Sequence, residues 1–232
     1  ANRCKNIGVW VKVGSMEYKA RIGNRTYHFE SIKEVMAKAN EKKSGDEMAG
    51  LAAENDSERV AAKEVLSELL VSDLRNAPAV DYDTDDVTRI IQDSVCEDTY
   101  NKIKNWTIAQ LREWLLSYKA NEETIKELRG GLTAEVIAGV TKLMSNLDLI
   151  YASHKMHVES TCNTTIGTVG TLSTRLQPNH TTDGLEGITA SLYEGLSYGI
   201  GDAVIGLNPV TDSVSNTTEI LKRFDEVKHK WE

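Results

Sequence analysis

The sequence has few cysteines, no basic stripe and no long apolar run. Its three cysteines, Cys4, Cys96 and Cys162, are scattered and odd in number, which is typical of free thiols in a reducing cytoplasm. The 232 residues carry a formal charge of −8, and this acidic balance argues against a nucleic-acid-binding protein. No apolar stretch approaches the roughly 20 residues that cross a bilayer. With 40% apolar residues, the chain suits a soluble protein of one large or two small domains.

Residues 16–162 are predicted to form a β-hairpin followed by a mainly helical region. Apolar residues alternate on both sides of a turn at Gly23, which is typical of a hairpin. Ser31 and Thr107 each precede a Glu or Gln by three residues, which is the spacing of a capping box that opens a helix. A further helix is expected from about Ser57. Its buried side is predicted to consist of Val60, Val65, Leu66 and Leu69.

The pattern changes to alternating strands and helices in residues 163–232. Leu172–Gln177 and Ala203–Leu207 are predicted strands, and the second, a near-continuous apolar run, is expected to be covered on both faces. Asp183–Ser197 and Asn216–Trp231 have helical spacing. We therefore predict an α/β fold in which a helical region leads into the first two βα units of a TIM (β/α)8 barrel. A complete barrel needs about 250 residues, so only its beginning fits here.

Polar side chains follow the two predicted strands at their carboxyl ends. Arg175 and Gln177 are two residues apart and share one face of a strand, whereas Leu176 points the opposite way. Asn208-Pro209 ends the second strand. In a barrel the Arg175 face points into the lumen, where an unpaired guanidinium is costly, so we expect a ligand or an acidic neighbour there. The alternative without a ligand is that Arg175 is an ordinary surface arginine and that Gln177 and Asn208 are ordinary turn residues.

His154 and His157 are the alternative candidates for a functional site. Their spacing could place both on one helical face as metal ligands. No Cys, Asp or Glu in suitable positions completes such a site, so a solvated helix end is the preferred interpretation, and no metal site is predicted.

Several blocks of this sequence resemble the large, catalytic subunit of ethanolamine ammonia-lyase, an adenosylcobalamin-dependent enzyme. The most specific are RLQPN, within NTTIGTVGTLSTRLQPN from Asn163, and GDAVIGLNPV from Gly201. Val169 departs from the pattern, since the resemblance predicts a proline before Gly170. The other blocks follow in the family's order: SIKEVMAKANEKKSGDEMAGLAAE from Ser31, ERVAAKEVLSELLVSDLRN from Glu58, VTRIIQD from Val87, IKNWTIAQLREW from Ile103 and GLTAEVIAGVTKLMSNLDLIY from Gly131.

The resemblance runs from about Met16, which is similar to the family's natural start. Gly14-Ser15 directly before it resembles a cloning scar. Residues 1–15 are therefore expected to be a leader foreign to the family, although Ile7, Val9, Val11 and Val13 alternate as in a strand.

The resemblance implies a lyase that converts ethanolamine to acetaldehyde and ammonia by radical chemistry. It implies that Arg175, Leu176, Gln177 and Asn208 bind the substrate and that Pro209 lies against the adenosylcobalamin. It also implies a separate small subunit, a homo-oligomer of large subunits, and a location in the cytoplasm or within a bacterial microcompartment. The family's acidic substrate ligands come from later barrel strands beyond Glu232, so this chain alone is expected to be inactive.

The alternative is a non-catalytic assembly module derived from the same family. On this hypothesis the helical region packs against copies of itself or against the small subunit, and the two βα units are inert. The reading frame after Glu232 would discriminate between the two, since further barrel strands with acidic residues favour the enzyme.

Overall fold

The chain divides into two units, residues 1–156 and 157–232, and each is described by itself. The structure, a computed structural model, describes residues 9–10, 18–161, 164–178, 184–202, 204–210 and 213–231. In this described part the protein is a mixture of helices with three small sheets. The sequence prediction placed the change from the helical region to the βα units at Asn163, which lies outside the described residues.

The first unit contains a three-stranded antiparallel sheet in the order β1-β2-β3. Its strands are β1 (Val9–Trp10), β2 (Tyr18–Ile22) and β3 (Arg25–Phe29). Strands β2 and β3 form the predicted hairpin, whose turn contains Gly23 at φ +61°, a left-handed conformation that glycine adopts without strain. Strand β1 belongs to residues 1–15, the predicted leader, and pairs with β2. Ile7, Val11, Val13 and Met16 lie outside the described residues.

Ten helices follow in the described part of this unit. They are α1 (Ile32–Lys38), α2 (Ser44–Met48), α3 (Asp56–Glu68), α4 (Val71–Arg75), α5 (Asp86–Asp93), α6 (Glu97–Ile103), α7 (Ile108–Leu116), α8 (Glu122–Arg129), α9 (Ala134–Lys142) and α10 (Asn146–His154).

Both predicted helix starts carry side-chain caps, although the two caps differ. Thr107 Oγ1 accepts a hydrogen bond from Gln110 N at 3.1 Å, and Gln110 Oε1 accepts from Thr107 N at 2.9 Å, so this capping box is complete. Ser31 Oγ accepts from Glu34 N at 3.2 Å, but the Glu34 carboxylate accepts from the main chain of Glu30 rather than from Ser31. Each cap satisfies main-chain donors that the helix itself leaves unpaired.

Helix α3 lies at the centre of the first hydrophobic core. Val65, Leu66 and Leu69 are buried as predicted, together with the neighbouring Ala61 and Ala62. The prediction for Val60 is wrong, because its side chain is 44% exposed. At about 100° per residue, Val60 lies about 140° around the helix from Val65 and falls outside the buried stripe.

The second unit contains two small sheets and two helices. An antiparallel pair, β4 (Ser160–Thr161) and β5 (Thr165–Ile166), precedes a β-α-β-α sequence. That sequence consists of β6 (Arg175–Leu176), α11 (Leu185–Ser197), β7 (Val204–Ile205) and α12 (Val214–Trp231). Strands β6 and β7 are parallel, which confirms the predicted βαβ unit. Both are shorter than predicted: Leu172 is 98% exposed ahead of β6, and Ala203 lies outside the described residues.

The core of the second unit lies between its helices and one face of the β6-β7 pair. Its buried residues are Ile188, Leu192, Ile220, Phe224 and Val227. Leu176, Ile205 and Leu207 pack against them from the strands. The mixture of helices and small sheets bears out the predicted α/β and helical character of the chain. The described residues form no closed barrel, so the barrel stays a prediction. None of the described helices has the length and apolar character needed to span a membrane.

Candidate functional site

Strands β6 and β7 bring the predicted polar residues to one edge of a parallel pair. Arg175 pairs with Val204 and Leu176 with Ile205. Gly206 N donates to Leu176 O at 2.8 Å, which continues the pairing beyond β7. Because the strands are parallel, Gln177 after β6 and Asn208-Pro209 after β7 leave the sheet at the same edge.

The two faces of this strand pair differ in character. Arg175 and Gln177 are exposed, and Val204, the pairing partner of Arg175, is 40% exposed. Leu176 and Ile205 point the other way, toward the core of the unit. The expectation that the second strand is covered on both faces is therefore wrong in the described structure, because α11 and α12 cover one face only.

Leu176 is held by close packing against two glycines. A Cβ on Gly201 would lie 3.1 Å from Leu176 Cβ, and a Cβ on Gly195 in α11 would lie 2.8 Å from Leu176 Cδ2. The side chain of Leu176 therefore anchors β6 to the helical layer. A role for Leu176 in substrate binding would fall to its main-chain atoms.

The guanidinium of Arg175 lies against the main chain of Gly206 on the neighbouring strand. A Cβ on Gly206 would be 2.5 Å from Nη2, 2.6 Å from Nε and 2.9 Å from Cζ of Arg175. In the described part of the chain, no side chain forms a hydrogen bond or an ion pair with this guanidinium. Arg175 is thus a positive charge with five donors, exposed at the edge where a ligand would bind.

Asn208 and Pro209 occupy the turn that follows β7. Asn208 is exposed, and Pro209 is half-buried. An asparagine amide offers both donors and an acceptor, and proline offers apolar surface without a main-chain donor. Val210, directly after them, is 66% exposed and extends the apolar surface at this edge.

A pair of side chains that the sequence analysis missed fixes the opposite, amino ends of the two strands. Asp202 Oδ1 accepts from Thr174 N at 2.9 Å and also from the Thr174 hydroxyl. Gly201 N donates to Thr174 Oγ1 at 3.0 Å, and Thr164 Oγ1 donates to the main-chain oxygen of Asp202 at 3.1 Å. These bonds tie β6 to β7 in one register. The available signal was a Thr inside the first predicted strand and an Asp directly before the second.

The remaining candidate groups are two histidines and the cysteines. His154 ends α10, and His157 Nε2 lies 3.1 Å from Glu159 Oε1. Across the residues that the structure describes, no group of three His, Cys, Asp or Glu side chains could hold a metal ion. Cys96 is an exposed free thiol, as predicted, and a hydrogen bond from Thr99 lowers its pKa. Cys4 and Cys162 lie outside the described residues.

Comparisons with known proteins match most of the chain to one family. Residues 27–232 match the family model described as "Ethanolamine ammonia lyase large subunit (EutB)". The chain is 54% identical over 206 residues to the ethanolamine ammonia-lyase large subunit of Escherichia coli (strain K12), a match that covers 89% of this chain and 46% of that protein. The large subunit of Salmonella typhimurium (strain LT2) is 55% identical over 206 residues, with the same coverage. The chain spans about half the length of these curated relatives.

Proposed function

We infer the function of this chain from its family: it belongs to the ethanolamine ammonia-lyase large subunit family, which the match over residues 27–232 shows. The resemblance drawn from its sequence motifs is thereby confirmed. We propose that the chain forms part of an adenosylcobalamin-dependent lyase that converts ethanolamine to acetaldehyde and ammonia. The observation that carries this proposal is the guanidinium of Arg175 at the edge of the parallel strand pair, which forms no hydrogen bond or ion pair with the described residues.

Arg175, Gln177 and Asn208 suit a small molecule that carries a hydroxyl and an ammonium. The Arg175 guanidinium can only donate, so we assign it to the hydroxyl oxygen of ethanolamine. The amide oxygens of Gln177 and Asn208 accept hydrogen bonds, and we assign them to the ammonium or to the hydroxyl proton. Hydrogen bonds that strengthen while the amino group migrates would lower the barrier rather than merely bind the substrate.

The cofactor would meet this chain at Pro209. Pro209 and the 66% exposed Val210 present apolar surface at the substrate edge, which fits contact with a large ring better than it fits ligation of a metal. When bound, adenosylcobalamin supplies the radical chemistry of the reaction. The residues of this chain bind the substrate beside the cofactor, orient it and help to exclude water.

We propose that β6 and β7 are the first two strands of a (β/α)8 barrel. The proposal is supported by their parallel pairing, by the β-α-β-α order and by helices that, among the described residues, cover only one of their faces. In such a barrel the open face of Arg175 and Val204 would point into the lumen. An ammonium in a dry pocket needs a carboxylate, and we assign that role to the portion of the family's large subunit that this chain does not span.

The proposed partners follow from the family. A large subunit implies a small subunit, and we propose that the two bind together with further copies of the large subunit. The proposed location is the cytoplasm, including the interior of a bacterial microcompartment.

A subunit-contact role is the second candidate function, and helix α10 favours it. Its residues Leu147, Ile150 and Tyr151 are 78%, 64% and 42% exposed. These residues are spaced by three and four positions and form one exposed apolar stripe, which is usually covered by another surface. This surface belongs to the first unit, so contact formation there is compatible with a catalytic role for the second.

The roles of Asn208 and Pro209 are tested in a hybrid large subunit, defined as the Escherichia coli relative with its matched segment replaced by residues 27–232 of this chain. Asn208→Ala is expected to weaken ethanolamine binding about 2- to 10-fold, the effect of one neutral hydrogen bond, with cobalamin binding unchanged. Pro209→Trp is expected to weaken cobalamin binding instead. Equilibrium titration of each ligand separately measures both effects, with Leu221→Ala, at a 52% exposed position of α12, as a control. The opposite pattern would reverse the two roles.

A further inference from the structure

We propose that Gly206 is a positioning residue for Arg175: it has no side chain, and the guanidinium of Arg175 occupies the space that a side chain would fill. Gly206 itself would touch neither substrate nor cofactor and would act through Arg175. The importance of this position for the reaction rests on the proposed function. The packing of the two residues does not.

The distances between the two residues carry the first step. A Cβ on Gly206 would come within 2.5 Å of Nη2 and 2.6 Å of Nε of Arg175. Carbon and nitrogen atoms that are not bonded to each other do not approach so closely, because ordinary contacts begin at about 3.5 Å. Any residue larger than glycine at position 206 therefore requires the guanidinium to leave its present place.

The main chain of Gly206 gives no reason of its own for a glycine. Its φ is not among the positive values of the described glycines, so an alanine fits the local backbone without strain. What is special about the position is the arginine that lies over it.

The strands cannot shift apart easily to relieve such a clash. Gly206 N is bonded to Leu176 O at 2.8 Å, and Thr174 and Asp202 tie the amino ends of the same two strands. Leu176 is packed against Gly195 and Gly201 on the other face. Arg175, by contrast, ends in a long flexible side chain that is exposed. We therefore expect an added methyl group to displace the guanidinium and to leave the fold in place.

The direct test observes Arg175 in the 232-residue chain. The Nε–Hε signal of Arg175 is identified in a ¹H–¹⁵N NMR spectrum of arginine-labelled protein by its disappearance in Arg175→Lys. Gly206→Ala is expected to shift this signal and to leave the melting temperature almost unchanged. Gly45→Ala is the matched control, because a Cβ there meets nothing within 4 Å. An Arg175 signal that stays in place in folded Gly206→Ala would overturn the inference.

A double variant keeps the inference testable if Gly206→Ala lowers the melting temperature. When Arg175 is removed as well, in Arg175→Ala/Gly206→Ala, the clash is gone and the melting temperature should return to that of Arg175→Ala. A double variant that remains as unstable as Gly206→Ala would show that glycine is needed for another reason, and this would overturn the inference.

Kinetics of the hybrid large subunit separate this inference from the proposed function. Gly206→Ala is expected to lower kcat/KM by about 10-fold or more, and the double variant is expected to be no worse than Arg175→Ala, because both changes remove one interaction. Independent effects that multiply would overturn the inference. A shifted Arg175 signal with unchanged kcat/KM would support the positioning by Gly206 and refute the proposed contact between Arg175 and substrate.

Discussion

Arg175→Ala in the hybrid large subunit is expected to lower kcat/KM for ethanolamine about 10- to 150-fold. The reason is the loss of a hydrogen bond from a charged donor, which contributes about 1.5–3 kcal/mol, and each 1.4 kcal/mol corresponds to about a tenfold change in rate. The fold should be preserved, because the guanidinium is exposed and forms no hydrogen bond or ion pair with the described residues. Steady-state kinetics and a melting curve on the same preparation measure both quantities.

The matched control removes an exposed positive charge from the first unit. Lys126 in α8 is exposed, and Lys126→Ala should leave both kcat/KM and the melting temperature unchanged. If Arg175→Ala retained the activity of the unaltered hybrid, the assignment of Arg175 to the substrate would be refuted. If both variants lost activity alike, net charge rather than a specific contact would explain the loss.

Leu66→Ala is expected to lower the free energy of unfolding of the first unit by about 2–5 kcal/mol. Leu66 is completely buried in α3, and its Cδ1 lies 3.6 Å from the position of a Cβ on Gly139 in α9, so the truncation leaves a cavity between packed helices. Val60→Ala, in the same helix, should change the free energy by about 0.5 kcal/mol or less because Val60 is 44% exposed. Urea denaturation of the 232-residue chain, followed by circular dichroism, compares them. Equal losses would show that Val60 belongs to the core after all.

Several correctly predicted parts of the fold are encoded by neighbouring residues. The β2-β3 hairpin follows from alternating apolar residues around Gly23, and the start of α7 follows from the Thr107 capping box. Val60 was misplaced because its apolar character was given more weight than its angular position, which is about 140° around the helix from Val65. The exposure of Val204 was missed because apolar composition does not show whether a strand face is covered.

The sequence predicted which residues belong to the candidate site but not the contacts between them. Spacing alone placed Arg175 and Gln177 on one strand face, and their exposure agrees with this. The hydrogen bonds between Thr174 and Asp202 join residues that are 28 positions apart. The contact of Arg175 with Gly206 crosses from one strand to the next. Such contacts depend on strand register, which local patterns do not specify. Closure of a barrel depends on still more distant strands, so it stays a proposal.

Turnover of ethanolamine by the hybrid large subunit tests the central claim most directly. The purified hybrid is combined with the small subunit and adenosylcobalamin, and acetaldehyde release is followed in a coupled assay beside the 232-residue chain under the same conditions. We expect sustained release by the hybrid and none by the 232-residue chain, since two βα units do not enclose a site from water. A folded hybrid that binds both the small subunit and the cofactor yet releases no acetaldehyde would contradict the proposal that residues 27–232 supply a functional part of this lyase.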